Sequence, residues 1–178
     1  MRMWRGGAIV LAALGLIAGG CQSDQPRRVA DDPQAMLELL MPEKLVIESF
    51  TKPVSFNEKR SADGIEIIAR AVDAAGDPVK VPGTFTFELY GGAGGRNRVG
   101  QRYLYWTINT AEPASFNEYW ERFGRFYRFL VRFELDGPEL PPGPYRIEGS
   151  LTLPSGKRLT NEFEFNHAGS PVPPAAVR

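Results

Sequence analysis

The chain has 178 residues with 21 Lys+Arg against 21 Asp+Glu, a length that suits one domain with short extensions. Its balanced charge gives no concentrated basic surface of the kind that nucleic acid or an acidic polymer would need. A single cysteine forms no disulfide within the chain, so stability must come from a buried core, and 11 Phe, 6 Tyr and 3 Trp supply the material for one.

The first element is a signal-like segment. Arg2 and Arg5 precede an apolar run from Gly6 to Ile17, which is too short to span a bilayer, and Ala18-Gly19-Gly20 supplies the small residues a signal peptidase requires. Cys21 stands immediately after them. The arrangement resembles the lipobox of bacterial lipoproteins. That resemblance implies a signal peptide over 1–20, a diacylglycerol on the Cys21 sulfur, and further acylation (palmitate-type chains) of the new amino terminus. Two or three such chains make a firm anchor where one is marginal. In the same family an Asp after the cysteine favours the inner membrane. Gln22 stands there instead, which implies an outer-membrane lipoprotein facing the periplasm. An ordinary cleavable signal followed by a chance cysteine is the competing reading. Without 1–20 the net charge falls to about −2.

Residues 21–43 read as a lipidated spacer carrying a short helix. Asp32 is placed as N-cap and Pro33 as first helical residue, and Met36, Leu37, Leu39, Leu40 and Met41 form an apolar face expected to cap one end of the fold. From 44 to 167 the dominant period is two. Leu45 to Phe50, Ile65 to Asp73, Thr84 to Tyr90, Arg102 to Ile108, Arg125 to Leu135, Tyr145 to Leu153 and Leu159 to Phe165 read as strands, with Val79 to Val81 as a short edge piece. Ser115-Phe116-Asn117-Glu118 has the pattern of a capping box. Phe116, Tyr119, Trp120 and Phe123 then fall at helical spacing before Gly124, which predicts a helix inserted between strands. Residues 168–178, rich in Pro and Ala, read as a disordered tail.

About seven strands with one apolar face each predict an all-β fold, an antiparallel sandwich with one or two short helices. The stretch Asp136-Gly137-Pro138-Glu139-Leu140-Pro141-Pro142-Gly143-Pro144-Tyr145-Arg146-Ile147 resembles the turn into the penultimate strand of immunoglobulin-like domains of bacterial surface proteins. The resemblance implies that Tyr145 is a tyrosine-corner residue whose hydroxyl bonds back to upstream backbone. The whole chain also resembles small envelope lipoproteins built on this plan, for which no activity is implied.

Candidate chemistry is sparse. The glycine-rich loop 91–100 is followed by a strand rather than a helix, so a hairpin loop is favoured over a phosphate cradle, although Arg96 and Arg98 leave room for an anionic partner. Asp63, Asp73 and Asp77 lack the spacing of a calcium loop and read as turn residues. Glu112, Glu118 and Glu121 show no paired acid and base. The segments 53–58 and 113–118 are near-repeats whose flanks do not align. No catalytic residue, metal ligand or cofactor is assigned, and the chain reads as not an enzyme.

The remaining candidate is a partner-binding surface made of Tyr103, Tyr105, Arg128 and Arg132 with Trp120 on the inserted helix, because interfaces concentrate aromatics beside arginine. The competing reading buries these rings as ordinary core. The expected function is a non-enzymatic binding or structural module of the cell envelope, its partners the membrane through the lipid and an envelope protein or cell-wall glycan. A carbohydrate-binding module or weak glycan hydrolase, and an accessory subunit of a secretion or transport complex, stand as alternatives.

Overall fold

The computed structural model describes residues 33–92, 100–133 and 139–176. In chain order they form α1 (Pro33–Leu40), β1 (Lys44–Ile47), β2 (Lys52–Val54), β3 (Gly64–Val72), β4 (Pro78–Val79), β5 (Thr84–Gly91), β6 (Gln101–Asn109), α2 (Pro113–Glu118), β7 (Trp120–Glu121), β8 (Phe126–Arg132), β9 (Gly143–Thr152) and β10 (Arg158–His167). Strands β1, β3, β8 and β7 lie side by side in that order, with β2 and β4 also on β3, and β10, β9, β5 and β6 make a second sheet. All these pairings are antiparallel. This is the A-B-E-D against G-F-C-C′ order of an immunoglobulin-like sandwich, the expected all-β architecture. The signal segment, Cys21, Asp32 and residues 93–99 with Arg96 and Arg98 lie outside the described residues.

Period-two alternation builds the core. Ile65, Ile67, Ala69 and Ala71 of β3 and Tyr127, Phe129 and Val131 of β8 face Phe85, Phe87 and Leu89 of β5 and Ile147 and Leu151 of β9, all of them buried. Phe129 sits at the centre, its ring 5.1 Å from Phe85, 5.3 Å from Phe87, 5.4 Å from Trp106 and 5.2 Å from Tyr119. The Tyr127 hydroxyl donates to the Val81 carbonyl and accepts from the Val81 N–H, both at 2.8 Å, and so fixes the chain as it crosses from one sheet to the other. Burial pushes that hydroxyl up to about 12.

Tyr145 opens the penultimate strand, and its hydroxyl donates to the Pro141 carbonyl at 2.6 Å, the bond that the tyrosine-corner resemblance implied. Burial, with Tyr103 as its neighbour, pushes Tyr145 up to about 12. The following hairpin pairs β9 with β10 over ten residues, from Gly143↔His167 to Thr152↔Arg158, around a turn at 154–157 in which Gly156 has φ +84.

Three expectations about the non-sheet segments are corrected. Helix α1 forms at Pro33–Leu40, yet Leu37, Leu39, Leu40 and Met41 are exposed by 40% or more and do not cap the sandwich. The inserted helix α2 is Pro113–Glu118, begins two residues before the anticipated cap, and makes no side-chain cap hydrogen bond at Glu112. Trp120 and Glu121 leave it to pair with Tyr127 and Phe126 as edge strand β7, because an edge hydrogen-bond ladder outweighs weak helix propensity. The tail from 168 to 176 is not loose. Ser55 N–H donates to Pro173, Ala175 N–H to Ser55 and Val172 N–H to Arg60, and Val172 is buried. A composition that suits disorder is here held by backbone bonds to the loop after β2.

Candidate functional site

The five residues expected to form one partner-binding surface are divided by the fold. Tyr105 points outward from β6, is 59% exposed, and has the Arg102 guanidinium 5.4 Å above its ring. A β-bulge shifts the β5–β6 register between Leu89 and Tyr90, and this turns Tyr103 edge-on to Tyr145 at 5.7 Å. There it covers Gly91, where an added Cβ would lie 2.3 Å from the Tyr103 ring. Arg128 and Arg132 project from β8 in the opposite sheet. Arg128 is paired with Glu66, and Arg132 reaches Asp63 at 3.7 Å and lies 5.7 Å over the Phe56 ring. Trp120 belongs to β7 and packs edge-on to Tyr127 at 5.0 Å. Alternation tells which side of its own strand a residue takes and says nothing of which sheet that strand joins.

The structure instead brings together residues that sequence reasoning passed over. An open groove of about 440 Å³ lies on the outward face of the β10-β9-β5-β6 sheet, lined among others by Thr86, Glu88, Glu148, Ser150, Arg158 and Glu162. Register explains it. Glu162 pairs with Glu148, Glu148 with Glu88, and Glu88 with Tyr105, so one row across four strands reads Glu, Glu, Glu, Tyr. The next row is Thr160, Ser150, Thr86 and Thr107, all hydroxyl-bearing. On the other side of the acids lie Glu164, Arg146, Tyr90 and Arg102.

Directly opposed like charges repel, and the neighbouring row offsets part of that. Glu88 Oε2 accepts from the Tyr90 hydroxyl at 2.6 Å and from Arg102 at 3.2 Å, while Glu148 takes Arg146 at 2.6 Å. The Tyr90 hydroxyl is held above its ordinary range by the Glu88 hydrogen bond, then by burial and the Glu88 and Glu148 charges, against a lowering effect of Arg102. Arg146 also lies 5.6 Å over the Tyr90 ring, and Arg158 donates to Ser150 at 3.2 Å. Glu162, at the β10 edge, is exposed. The result is a rigid sheet surface with carboxylates, hydroxyls and arginines in ordered rows and an exposed phenol at one end. Each glutamate stands at an outward position of its strand, which the sequence shows. That they share a row depends on three strand pairings, which it does not.

The aspartates act as turn residues. Asp73 Oδ1 accepts from the N–H groups of Ala75 at 3.0 Å and Asp77 at 2.9 Å, closing the β3–β4 turn. Asp63 accepts from Phe56 N–H at 2.7 Å and from Asn57 at 2.9 Å. Segments 53–58 and 113–118, alike in sequence, adopt a strand with its following loop and a helix, respectively. Among the described residues no group of three or more His, Cys, Asp and Glu has a geometry that holds a metal ion, and no helix is long and apolar enough to cross a membrane. No family model matches the chain, and neither a curated protein nor a solved structure matches it.

Proposed function

We propose that the chain is a lipid-anchored envelope module that binds a partner without catalysis, and that the groove on the outward face of the β10-β9-β5-β6 sheet is its binding surface. The observation that carries this reading is the register of Glu162, Glu148 and Glu88 in one row. Arg102 and Arg146 offset the charges of Glu88 and Glu148 only in part, and Glu162 stands exposed at the end of the row, so the preferred partner presents basic side chains or amines, as an envelope protein or a cell-wall peptide does. The anchor rests on the order of charge, apolar run, small residues and Cys21 at the amino terminus. Acyl chains would hold the module at the membrane, and the long sheet would offer its groove to the periplasm.

Crosslinking in intact envelopes followed by pull-down tests the binding face. A reproducible partner should be recovered with the native chain and lost when Glu88, Glu148 and Glu162 are all changed to Gln. Recovery that is no greater than in a Cys21→Ser control, or that is unchanged by the triple substitution, overturns the proposal. Labelling with a radioactive fatty acid that is abolished by Cys21→Ser tests the anchor by itself.

The exposed Tyr105 ring beside hydroxyl and carboxylate rows favours a second reading, a carbohydrate-binding module that stacks a sugar on the phenol. Trp120 takes no part in this version, since it lies in the other sheet. Glycan-array binding that Tyr105→Ala leaves intact removes it.

A further inference from the structure

The end of the sandwich where the chain comes in from α1 carries a second surface of different chemistry. Lys44 of β1 and Pro78 of β4 both pair with Val72, and Glu43 N–H donates to the Val72 carbonyl. The β7–β8 turn, Arg122-Phe123-Gly124-Arg125, lies at this same end. Arg70 donates to the Gly124 carbonyl at 3.4 Å, and Arg125 donates to the Pro78 carbonyl at 2.6 Å. Phe123 at its tip is fully exposed, at 104%, and Phe50 nearby is 47% exposed while packing edge-on to Phe126 at 5.9 Å. Gly124 lets the Phe126 ring lie against the turn, since a Cβ there would come within 2.0 Å of that ring and push it aside.

Charge accompanies the apolar tip. Arg122 and Arg125 flank Phe123 and are exposed, against one acid, Glu121, between residues 119 and 126. Lys80 extends along the same edge, 4.2 Å over the Phe116 ring and 6.0 Å from that of Trp120. Its ammonium is held below the ordinary lysine range by burial and by the Arg122 charge, as expected where cations stand close together. Helix α1, joined to β1 through residues 41–43, adds exposed Leu37, Leu39, Leu40 and Met41.

We propose that this end is a membrane-docking surface, with Phe123 entering the headgroup layer of an anionic bilayer while Arg122, Arg125 and Lys80 meet lipid phosphates. The inference rests on the proposed membrane anchor and goes beyond it, since it fixes which end of the sandwich faces the lipid. An aromatic at a turn tip flanked by arginines suits the interface, where the ring is partly desolvated and the guanidinium groups pair with phosphate. Acyl anchoring alone permits any orientation, whereas a second, electrostatic contact selects one. The outward sheet face then stands roughly along the membrane normal, with its groove open to one side.

The test uses the full chain with vesicles of phosphatidylcholine alone and with added phosphatidylglycerol, read by flotation and by amide hydrogen exchange. Exchange at residues 122–126 should slow on the anionic vesicles, less on the neutral ones, and recover with salt. Arg122→Gln should weaken the anionic preference about fivefold, and Phe123→Ser should abolish tip protection without moving the melting temperature, since that side chain touches no core. A chain that floats but exchanges at 122–126 as fast as in solution, or equally on both vesicle types, overturns the docking surface and leaves the anchor standing. Tip protection on anionic vesicles with no flotation on neutral ones supports the docking surface and counts against the acyl anchor. A chain that floats on neither overturns both. Slowed exchange at 122–126 brought about by an envelope protein and not by vesicles overturns the lipid assignment in favour of a protein partner.

Discussion

The two sheets solve the same burial problem with unlike strands. In the β10-β9-β5-β6 sheet each strand runs eight to ten residues, and the outward rows run across all four, broken only by the β5–β6 bulge at Leu89/Tyr90. In the other sheet the first edge is interrupted. β1 pairs with residues 69–72 and β2 with residues 64–66 of β3, and between them Ser49 and Phe50 turn outward and are exposed. Thr51 fills the gap, its hydroxyl accepting from Ile68 N–H at 3.0 Å. The opposite edge, β7, has only two residues. Long regular strands therefore build an ordered surface, while broken edges project tips and resist pairing with another chain. Rows belong to the first sheet and turns to the second, and the two proposed surfaces follow that division.

The largest expected effect erases the comparison altogether. Phe129→Ala removes the ring that touches both sheets and should cost about 3–5 kcal/mol, enough to threaten folding, as urea denaturation would show. Tyr127→Phe separates the sheets more selectively. It leaves the ring but strips both bonds to Val81, and a buried N–H without its acceptor costs about 1–3 kcal/mol. Tyr145→Phe loses one bond in the corner leading into the regular sheet, about 1 kcal/mol by the same measurement.

These two tyrosines also set an alkaline limit. Both are held at about 12 in the folded chain, against about 10 when unfolded. The unfolded state therefore gives up their protons first. Stability should be complete below about pH 10 and decline as pH rises toward about 12. Urea midpoints across that range should fall for the native chain and flatten in the Tyr127→Phe, Tyr145→Phe double variant. His167 sets the opposite limit. Its pKa is lowered by burial, with a smaller raising effect from its backbone bond to Leu140, so its contribution is present above about pH 6.5 and is lost on acidification.

The smallest effect is the most diagnostic for the groove. Glu162→Gln removes one of three opposed carboxylates and should raise stability by roughly 0.2–1 kcal/mol while weakening partner capture. A loss of stability instead would mean that the row is neutralised within the fold and needs no ligand.

Alternation in β3, β5, β8, β9 and β10 was legible because each strand buries one face and exposes the other, and the apolar set at Phe85, Phe87 and Leu89 admits no other period. The tyrosine corner was legible for a local reason, since Tyr145 bonds four residues upstream. Helical spacing of Phe116, Tyr119, Trp120 and Phe123 misled because the same rings serve a different purpose. Tyr119 packs on Phe129 and Trp120 on Tyr127, while Phe123 is left in solvent. Spacing records which residues share a helix face if a helix forms. A neighbouring strand edge can still claim them.

By itself the sequence determined the positions of the long strands, the inward and outward sense of most of their residues, the corner at Tyr145 and the turn role of Asp73, all matters settled within a few residues of chain; the bulge that turns Tyr103 away from the Tyr105 face lay beyond it. Only the tertiary structure decided that Glu88, Glu148 and Glu162 stand in one row, that Tyr105 and Arg128 face opposite ways, and that Phe123 crowns the end where the chain enters. Those depend on pairing between segments up to about seventy residues apart. A strand's own pattern fixes its faces, but its neighbours and register are chosen by the whole core.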